Sequence, residues 1–184
     1  MADLEHDGVT VSQGPVRIDV YEDFMCPYCR AFEQEAGETL DELAAAGRAE
    51  VVFHPVAFLD RLSSTAYSSR ASAASAAAAE AGAFRPFAKA LFAHQPEEGG
   101  PGLSTGELTR LVSEAGAPAD VANHLADPRH REWAARVTDA AVEAGVDGIP
   151  RVFVAGAPVD AAAGAISAAV GAASSGPRTA PAGP

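Results

Sequence analysis

The only two cysteines of the chain stand together in Cys26-Pro27-Tyr28-Cys29, at the point where an apolar strand runs into a helix. Arg17-Ile18-Asp19-Val20-Tyr21 alternates as a half-buried strand does, Glu22-Asp23-Phe24-Met25 supplies a turn, and helix formers run from Pro27 to about Leu43. Cys26 therefore falls at or beside a helix N-cap. Unpaired backbone N–H groups and the positive end of the helix dipole there favour the thiolate over the thiol. Cys29, three residues on, returns to the same face one turn later, so the pair can close a small disulfide ring and open it again.

Three readings of the pair compete. As a purely structural crosslink, a four-residue loop restricts the unfolded chain little, so stabilisation is a weak reason for it. As a zinc site it supplies two ligands, and His54, His94, His124 and His130 show no ligand-like spacing that would complete the set. As a redox pair it has the expected context, C-x-x-C on a strand-to-helix junction, and this is the favoured reading.

A distant segment adds to it. Gly145-Val146-Asp147-Gly148-Ile149-Pro150 reads as a helix end and a turn. Arg151-Val152-Phe153-Val154 then forms a new apolar strand, closed by Ala155-Gly156-Ala157-Pro158. Pro150 alone could be an ordinary strand-start proline. Together, the Glu22-Asp23-Phe24-Met25-Cys26-Pro27-Tyr28-Cys29-Arg30-Ala31-Phe32-Glu33 stretch and Gly148-Ile149-Pro150 before a short strand resemble the DsbA-like branch of the thioredoxin superfamily. The resemblance covers about residues 16–172. It implies an α/β thioredoxin fold with an inserted helical subdomain.

The resemblance also implies roles. Cys26 is the exposed nucleophile that forms a mixed disulfide, Cys29 the buried second cysteine, and Pro27 and Tyr28 the dipeptide that tunes the potential. Pro150 is cis and lies against the disulfide, a bond that costs only about 0.5–1 kcal/mol relative to trans. Ile149 offers backbone groups to an extended partner peptide, and Phe24 and Tyr28 offer apolar contact to partner side chains. The strand before the motif carries Ile18 and Val20 where many relatives hold a buried carboxylate, with Glu22 and Asp23 the nearest acids. Asp23 reads as a turn former that satisfies local N–H groups. Tyr28 stands where the strongest oxidants of the group carry histidine, so a less extreme oxidant is expected.

The expected activity is that of a protein disulfide oxidoreductase that passes the Cys26–Cys29 disulfide to cysteine pairs of client polypeptides. The pair would be re-oxidised by a membrane partner of the DsbB or vitamin-K-epoxide-reductase-like kind, with no organic cofactor and no metal. The alternatives are a thioredoxin- or glutaredoxin-like reductase, and a peptide-binding or chaperone-like module that merely keeps its cysteines. An oxidase belongs outside the cytoplasm. Met1-Ala2-Asp3-Leu4-Glu5-His6-Asp7 has neither a basic start nor an apolar stretch; because relatives of the family are usually exported, the resemblance implies that a signal or anchor segment has been removed, and a cytoplasmic protein is the alternative.

Composition narrows the partners. The chain has 184 residues, 48% of them hydrophobic, enough for one domain with a sizeable core. A net charge of −12 with Lys89 as the single lysine argues against nucleic acid or an anionic membrane surface. No run approaches the ~18 consecutive apolar residues of a membrane span. The alanine-rich, arginine-biased usage accords with a high-GC bacterial genome.

Along the chain, residues 1–15 read as a polar extension with a short strand at Val9-Thr10-Val11. Residues 16–62 and 146–173 form the thioredoxin-like core, 63–145 the helical insertion, and 174–184 a disordered tail. Ala49 to His54 is a strand parallel to the first, ended by Pro55. Ser63-Ser64-Thr65 offers N-caps for a helix to about Ala81, Phe84 to Ala93 forms another, and Thr105-Gly106-Glu107 opens a third. Gln95 to Gly102 reads as a mobile loop, on which Glu97 and Glu98 are a solvated charge pair. Pro118, Pro128 and Gly145 bracket two further helical segments, and Asp160 caps the last helix. His54 reads as a satisfied core or edge residue. Phe84, Phe87, Leu91 and Phe92 read as core, and Trp133 as either a groove or a helix-packing residue.

Overall fold

The computed structural model describes residues 3–175. Six strands form one sheet: β1 (Asp3–Leu4), β2 (Val9–Thr10), β3 (Arg17–Glu22), β4 (Glu50–Pro55), β5 (Arg151–Val154) and β6 (Ala157–Val159), in the spatial order β1-β2-β4-β3-β5-β6. The central strand β3 pairs in parallel with β4 from Arg17↔Glu50 to Glu22↔Pro55, and antiparallel with β5 from Ile18↔Val154 to Tyr21↔Arg151. Parallel neighbours need a crossover, and α1 (Pro27–Ala45) supplies it. Alternation along β3 buries Ile18, Val20 and Glu22, whereas β4 is buried at every position from Val51 to Pro55, as befits a strand covered on both faces.

Between β4 and β5 lie α2 (Tyr67–Glu80), α3 (Phe84–Ala93), α4 (Thr105–Glu114) and α5 (Pro128–Glu143); α6 (Ala163–Ser175) follows β6. The aromatic residues of α3 are core. Phe84 meets Phe53 at 5.5 Å between ring centroids, and Phe92 meets Phe24 at 5.2 Å. An ion pair reinforces the seam between α1 and α3: Arg85 donates to both oxygens of the nearly buried Glu33 at 3.0 and 3.2 Å and to Asp41 at 2.8 Å, with its guanidinium 4.5 Å above the Phe53 ring. Trp133 is buried and donates its indole N–H to the Glu5 carbonyl at 2.7 Å, so it anchors the N-terminal strands rather than lining a groove. His54 is buried between the Asp7 carbonyl, 2.6 Å from Nδ1, and Asp19, 3.0 Å from Nε2.

Several local expectations are corrected. Strand β6 lies where the sequence suggested only a strand end. Ala155 and Gly156 both adopt positive φ, 49° and 78°, and turn the chain tightly back, while Pro158 is tolerated because β6 is an edge strand. Helix α2 takes no side-chain cap from its N-cap residue. Its N-cap is Ala66 at φ 51°, although Ser63 Oγ accepts from the Tyr67 amide at 3.1 Å. Asp160 does not cap α6 with its side chain; the Glu35 carboxylate reaches across from α1 and accepts from the Ala163 amide at 3.1 Å. Ser174 and Ser175 belong to α6, and the remainder of the expected disordered tail lies outside the described residues.

The loop read as mobile is tethered at several points. The Gly99 amide donates to Leu62 O, the Ser64 amide to Gly100 O and the Arg70 guanidinium to Pro101 O.

Candidate active site

Cys26 is the N-cap of α1, with extended backbone at φ −76° and ψ 118°. Its amide donates to the Asp23 carbonyl at 2.9 Å, and its carbonyl accepts the first helical bond from Arg30 at 3.1 Å. The turn before it is built on Asp23, whose buried carboxylate accepts from the Met25 amide at 2.9 Å, the Leu59 amide at 2.9 Å and Ser68 Oγ at 2.7 Å. The turn-forming role read for Asp23 thus extends to residues of the helical segment. Burial raises its pKa to about 6 in spite of these donors.

Both cysteines are free thiols. Cys29 is completely buried, and burial, followed by the bond it gives to Cys26 and the charge on that sulfur, drives its pKa far upward. The Cys26 pKa falls to about 7, first because the Cys29 thiol donates to it. Burial works against the fall, and the Cys29 and Tyr28 amides at the helix terminus add to it. Pro27, lacking an N–H, supplies none of these donors. The two sulfurs are thus unequal: one ionises near neutrality and its neighbour keeps its proton.

The Ile149–Pro150 peptide is cis and crosses this helix end, with Cys26 Sγ 3.9 Å from the Ile149 carbonyl oxygen. Distant segments therefore meet as the sequence reading required. Two of its expectations change. Cys26 was expected to be exposed, yet the residue is only 4% accessible in the dithiol, because the turn and the 149–150 peptide enclose it. Phe24 was expected to touch a partner, but it is fully buried against Phe92 and belongs to the core. Tyr28, 76% exposed, is the aromatic residue that faces outward. It lines a groove of about 590 Å³ with Ala31, Phe32, Glu35, Ile149, Pro150, Ala161 and Ala162.

Two polar residues of the site were given no role in the sequence reading, which named Glu22 only as one of the nearest acids, in the turn, and did not single out Gln95. Glu22 ends β3 in the inward register, is fully buried, and neither carboxylate oxygen has a hydrogen-bond partner. Burial first, then the charge of Glu33, raises its pKa to about 8, against a smaller opposing effect of Arg85. The strand before the motif therefore does hold a buried carboxyl group, two residues beyond Val20. Its inward place in the alternation Ile18, Val20, Glu22 was the available signal. Gln95, after α3, donates its side-chain amide to the carbonyls of Phe24 and Cys26. No sequence pattern marks it. Among the described residues no cluster of three or more His, Cys, Asp or Glu side chains gathers that could hold a metal ion, and no helix is long and apolar enough to cross a membrane.

Comparison with known proteins agrees with this geometry. The family model described as Thioredoxin matches residues 11–169. The crystal structure of oxidised DsbA from Mycobacterium tuberculosis is 33% identical and superposes with a TM-score of 0.74 over 83% of this chain and 84% of that one. Reduced DsbG, a disulfide bond oxidoreductase of the same organism, is 29% identical with a TM-score of 0.73 over 92% and 95%. MdbA of Corynebacterium diphtheriae, a thiol-disulfide oxidoreductase, shares the fold at 21% identity and a TM-score of 0.75, over 94% of this chain and 92% of that one. A curated relative, the Na(+)/H(+) antiporter NhaA 3 of Salinispora tropica, is 33% identical over 145 residues, 78% of this chain; the match spans about a fifth of that protein's length, 21%. The family model over residues 11–169 and the likeness to DsbA, with two cysteines at the start of α1, place the chain in the thioredoxin family, among its DsbA-like thiol-disulfide oxidoreductases.

Proposed function

We propose that the chain donates disulfides to reduced client polypeptides through Cys26 and Cys29. What supports exchange through Cys26 is its place at the N-terminus of α1, 3.9 Å from the Ile149 carbonyl, above a fully buried Cys29, and what supports the donating direction is the likeness to DsbA. In the oxidised protein a client thiolate attacks Cys26 Sγ. The Cys26–Cys29 bond breaks, its electron pair leaves on Cys29, and that sulfur takes up a proton. The client's second thiolate then attacks its own sulfur in the mixed disulfide and expels Cys26 as a thiolate. The client loses two electrons and forms one disulfide; the enzyme gains them as a dithiol. Two sulfurs of the chain and two of the client carry the whole exchange, so it draws on no organic cofactor or metal.

A thiol lowered from 9.0 to about 7 is half ionised at pH 7, which favours the reduced pair only about twofold, on the order of 10 mV. A moderate oxidant is expected, in keeping with Tyr28 in place of a cation. The groove beside Tyr28 and Pro150, apolar apart from Glu35, suits an extended client segment that pairs with the backbone at Ile149. Such an oxidase works outside the cytoplasm and is restored by a membrane partner of the DsbB or vitamin-K-epoxide-reductase-like kind. Equilibration with a glutathione buffer tests the direction. A potential above about −220 mV sustains donation; one below it, toward the roughly −270 mV of a thioredoxin, overturns it in favour of a reductase.

A further inference from the structure

Gln95 gives both hydrogens of its side-chain amide to the redox turn, one to the Phe24 carbonyl at 3.0 Å and one to the Cys26 carbonyl at 2.9 Å. These carbonyls bracket the step from β3 into α1, and nearly seventy residues separate them from the donor. Its base is firm. Gln95 follows the C-cap residue of α3, its own amide donates to Phe92 O at 3.3 Å, and Phe92 packs on Phe24. α3 is bound to α1 in turn by Arg85 and Glu33. The Cys26 carbonyl already accepts the Arg30 amide, so Gln95 is its second donor.

The electrostatic consequence falls on the sulfur. The carbonyl oxygen of Cys26 is a negative partial charge on the same residue as the thiolate, and Pro27 removes one amide that would have offset it. A donor pair pressed on the Phe24 and Cys26 oxygens withdraws that charge and holds the turn in the one arrangement that aims the Tyr28 and Cys29 amides at Sγ. We propose that Gln95 is a positioning residue for thiol-disulfide exchange, through which the helical segment between β4 and β5 holds the turn that carries Cys26. The proposal rests on Cys26 being the reacting sulfur.

Three replacements separate the outcomes. Gln95→Met keeps the length and removes both donors; Gln95→Glu keeps the shape and turns the donor into a charge of the wrong sign; Gln95→Lys keeps donors and adds a positive charge. The acidity of Cys26 is read from thiolate ultraviolet absorbance against pH in the reduced protein, alongside its glutathione equilibrium and its unfolding midpoint. The acid dissociation constant is expected to fall about 3- to 10-fold in Gln95→Met. It should fall further in Gln95→Glu, and stay level or rise in Gln95→Lys, with the glutathione equilibrium moving toward the disulfide form in the first two. Structural damage alone does not produce opposite signs in Glu and Lys. A folded Gln95→Met that titrates within about twofold of the parent overturns the proposal, whatever the charged variants do, because a charge placed here moves the sulfur by itself. Should Gln95→Met fail to fold, Gln95→Leu, which also removes both donors without adding a charge, decides by the same criterion. A parent Cys26 that titrates like a free cysteine removes the functional reading itself, an outcome distinct from unresponsive variants around an acidic parent.

Discussion

Replacing Glu22 by glutamine should stabilise the protein, and by an amount that depends on pH. Glu22 is fully buried at the end of β3 with both oxygens unpartnered, beside the negative Glu33 and Asp23, while Arg85 is committed to Glu33 and Asp41. Its pKa rises from 4.5 to about 8. A carboxyl group raised in this way binds its proton more tightly folded than unfolded, so its contribution is intact below pH 4.5 and is lost as pH climbs toward about 8. The loss runs at about 1.4 kcal/mol per pH unit, which amounts to about 3 kcal/mol at pH 7. Glutamine has the same shape and no proton to hold, and its unpartnered amide leaves the hydrogen-bond deficit roughly unchanged. Guanidinium unfolding of the reduced proteins should show Glu22→Gln ahead by less than about 1 kcal/mol near pH 5 and by about 3 kcal/mol near pH 7. Asp23, raised to about 6, adds a decline of its own to both proteins, and most of it cancels in the difference. A gap that stays constant across this range, or a variant less stable at pH 7, refutes the reasoning, because either outcome means that Glu22 is ionised and solvated in the fold.

Cys29→Ala removes the largest contribution to the acidity of Cys26, so the Cys26 pKa should climb from about 7 back toward 9, and mixed disulfides through Cys26 should accumulate on non-reducing gels. Phe92→Ala opens a cavity against Phe24 and loosens the base of Gln95; a loss of about 3–5 kcal/mol in denaturant unfolding is expected, with Cys26 made less acidic. Glu35→Ala leaves the Ala163 amide without its acceptor and should cost about 1 kcal/mol, seen as faster hydrogen exchange in the first turn of α6.

The redox junction was legible because it is local. Alternation in Arg17–Tyr21, the turn at Glu22–Met25 and the helix formers after Pro27 place Cys26 at a helix start within a dozen residues, and the structure agrees to within a residue or two. The aromatic periodicity of Phe84, Phe87, Leu91 and Phe92 likewise predicted a buried helix face. Misreadings arose where local chemistry lost to a tertiary demand. Pro158 spoke against a strand and occupies one, since an edge position needs no donor on its open side. Ser63 to Thr65 looked like caps, but the chain enters α2 through Ala66 in a left-handed conformation. Phe24 sits beside the sulfurs in sequence yet points into the core, and proximity along the chain does not say which way a side chain faces at a turn.

By itself the sequence determined that the two cysteines share a strand-to-helix junction with Cys26 at the helix start, since the alternation of the strand, the turn and the helix formers lie within a dozen residues of one another. Only the tertiary structure decided what surrounds the Cys26 sulfur. It brought Pro150 across the helix end, set Gln95 on the carbonyls of the turn, lent Glu35 to a helix that begins 128 positions away, and enclosed Glu22 without a partner. Each of these is a contact between segments far apart in the chain. Packing of the core settles which segments meet, and the burial that results, not the residue type alone, sets how strongly each acid holds its proton.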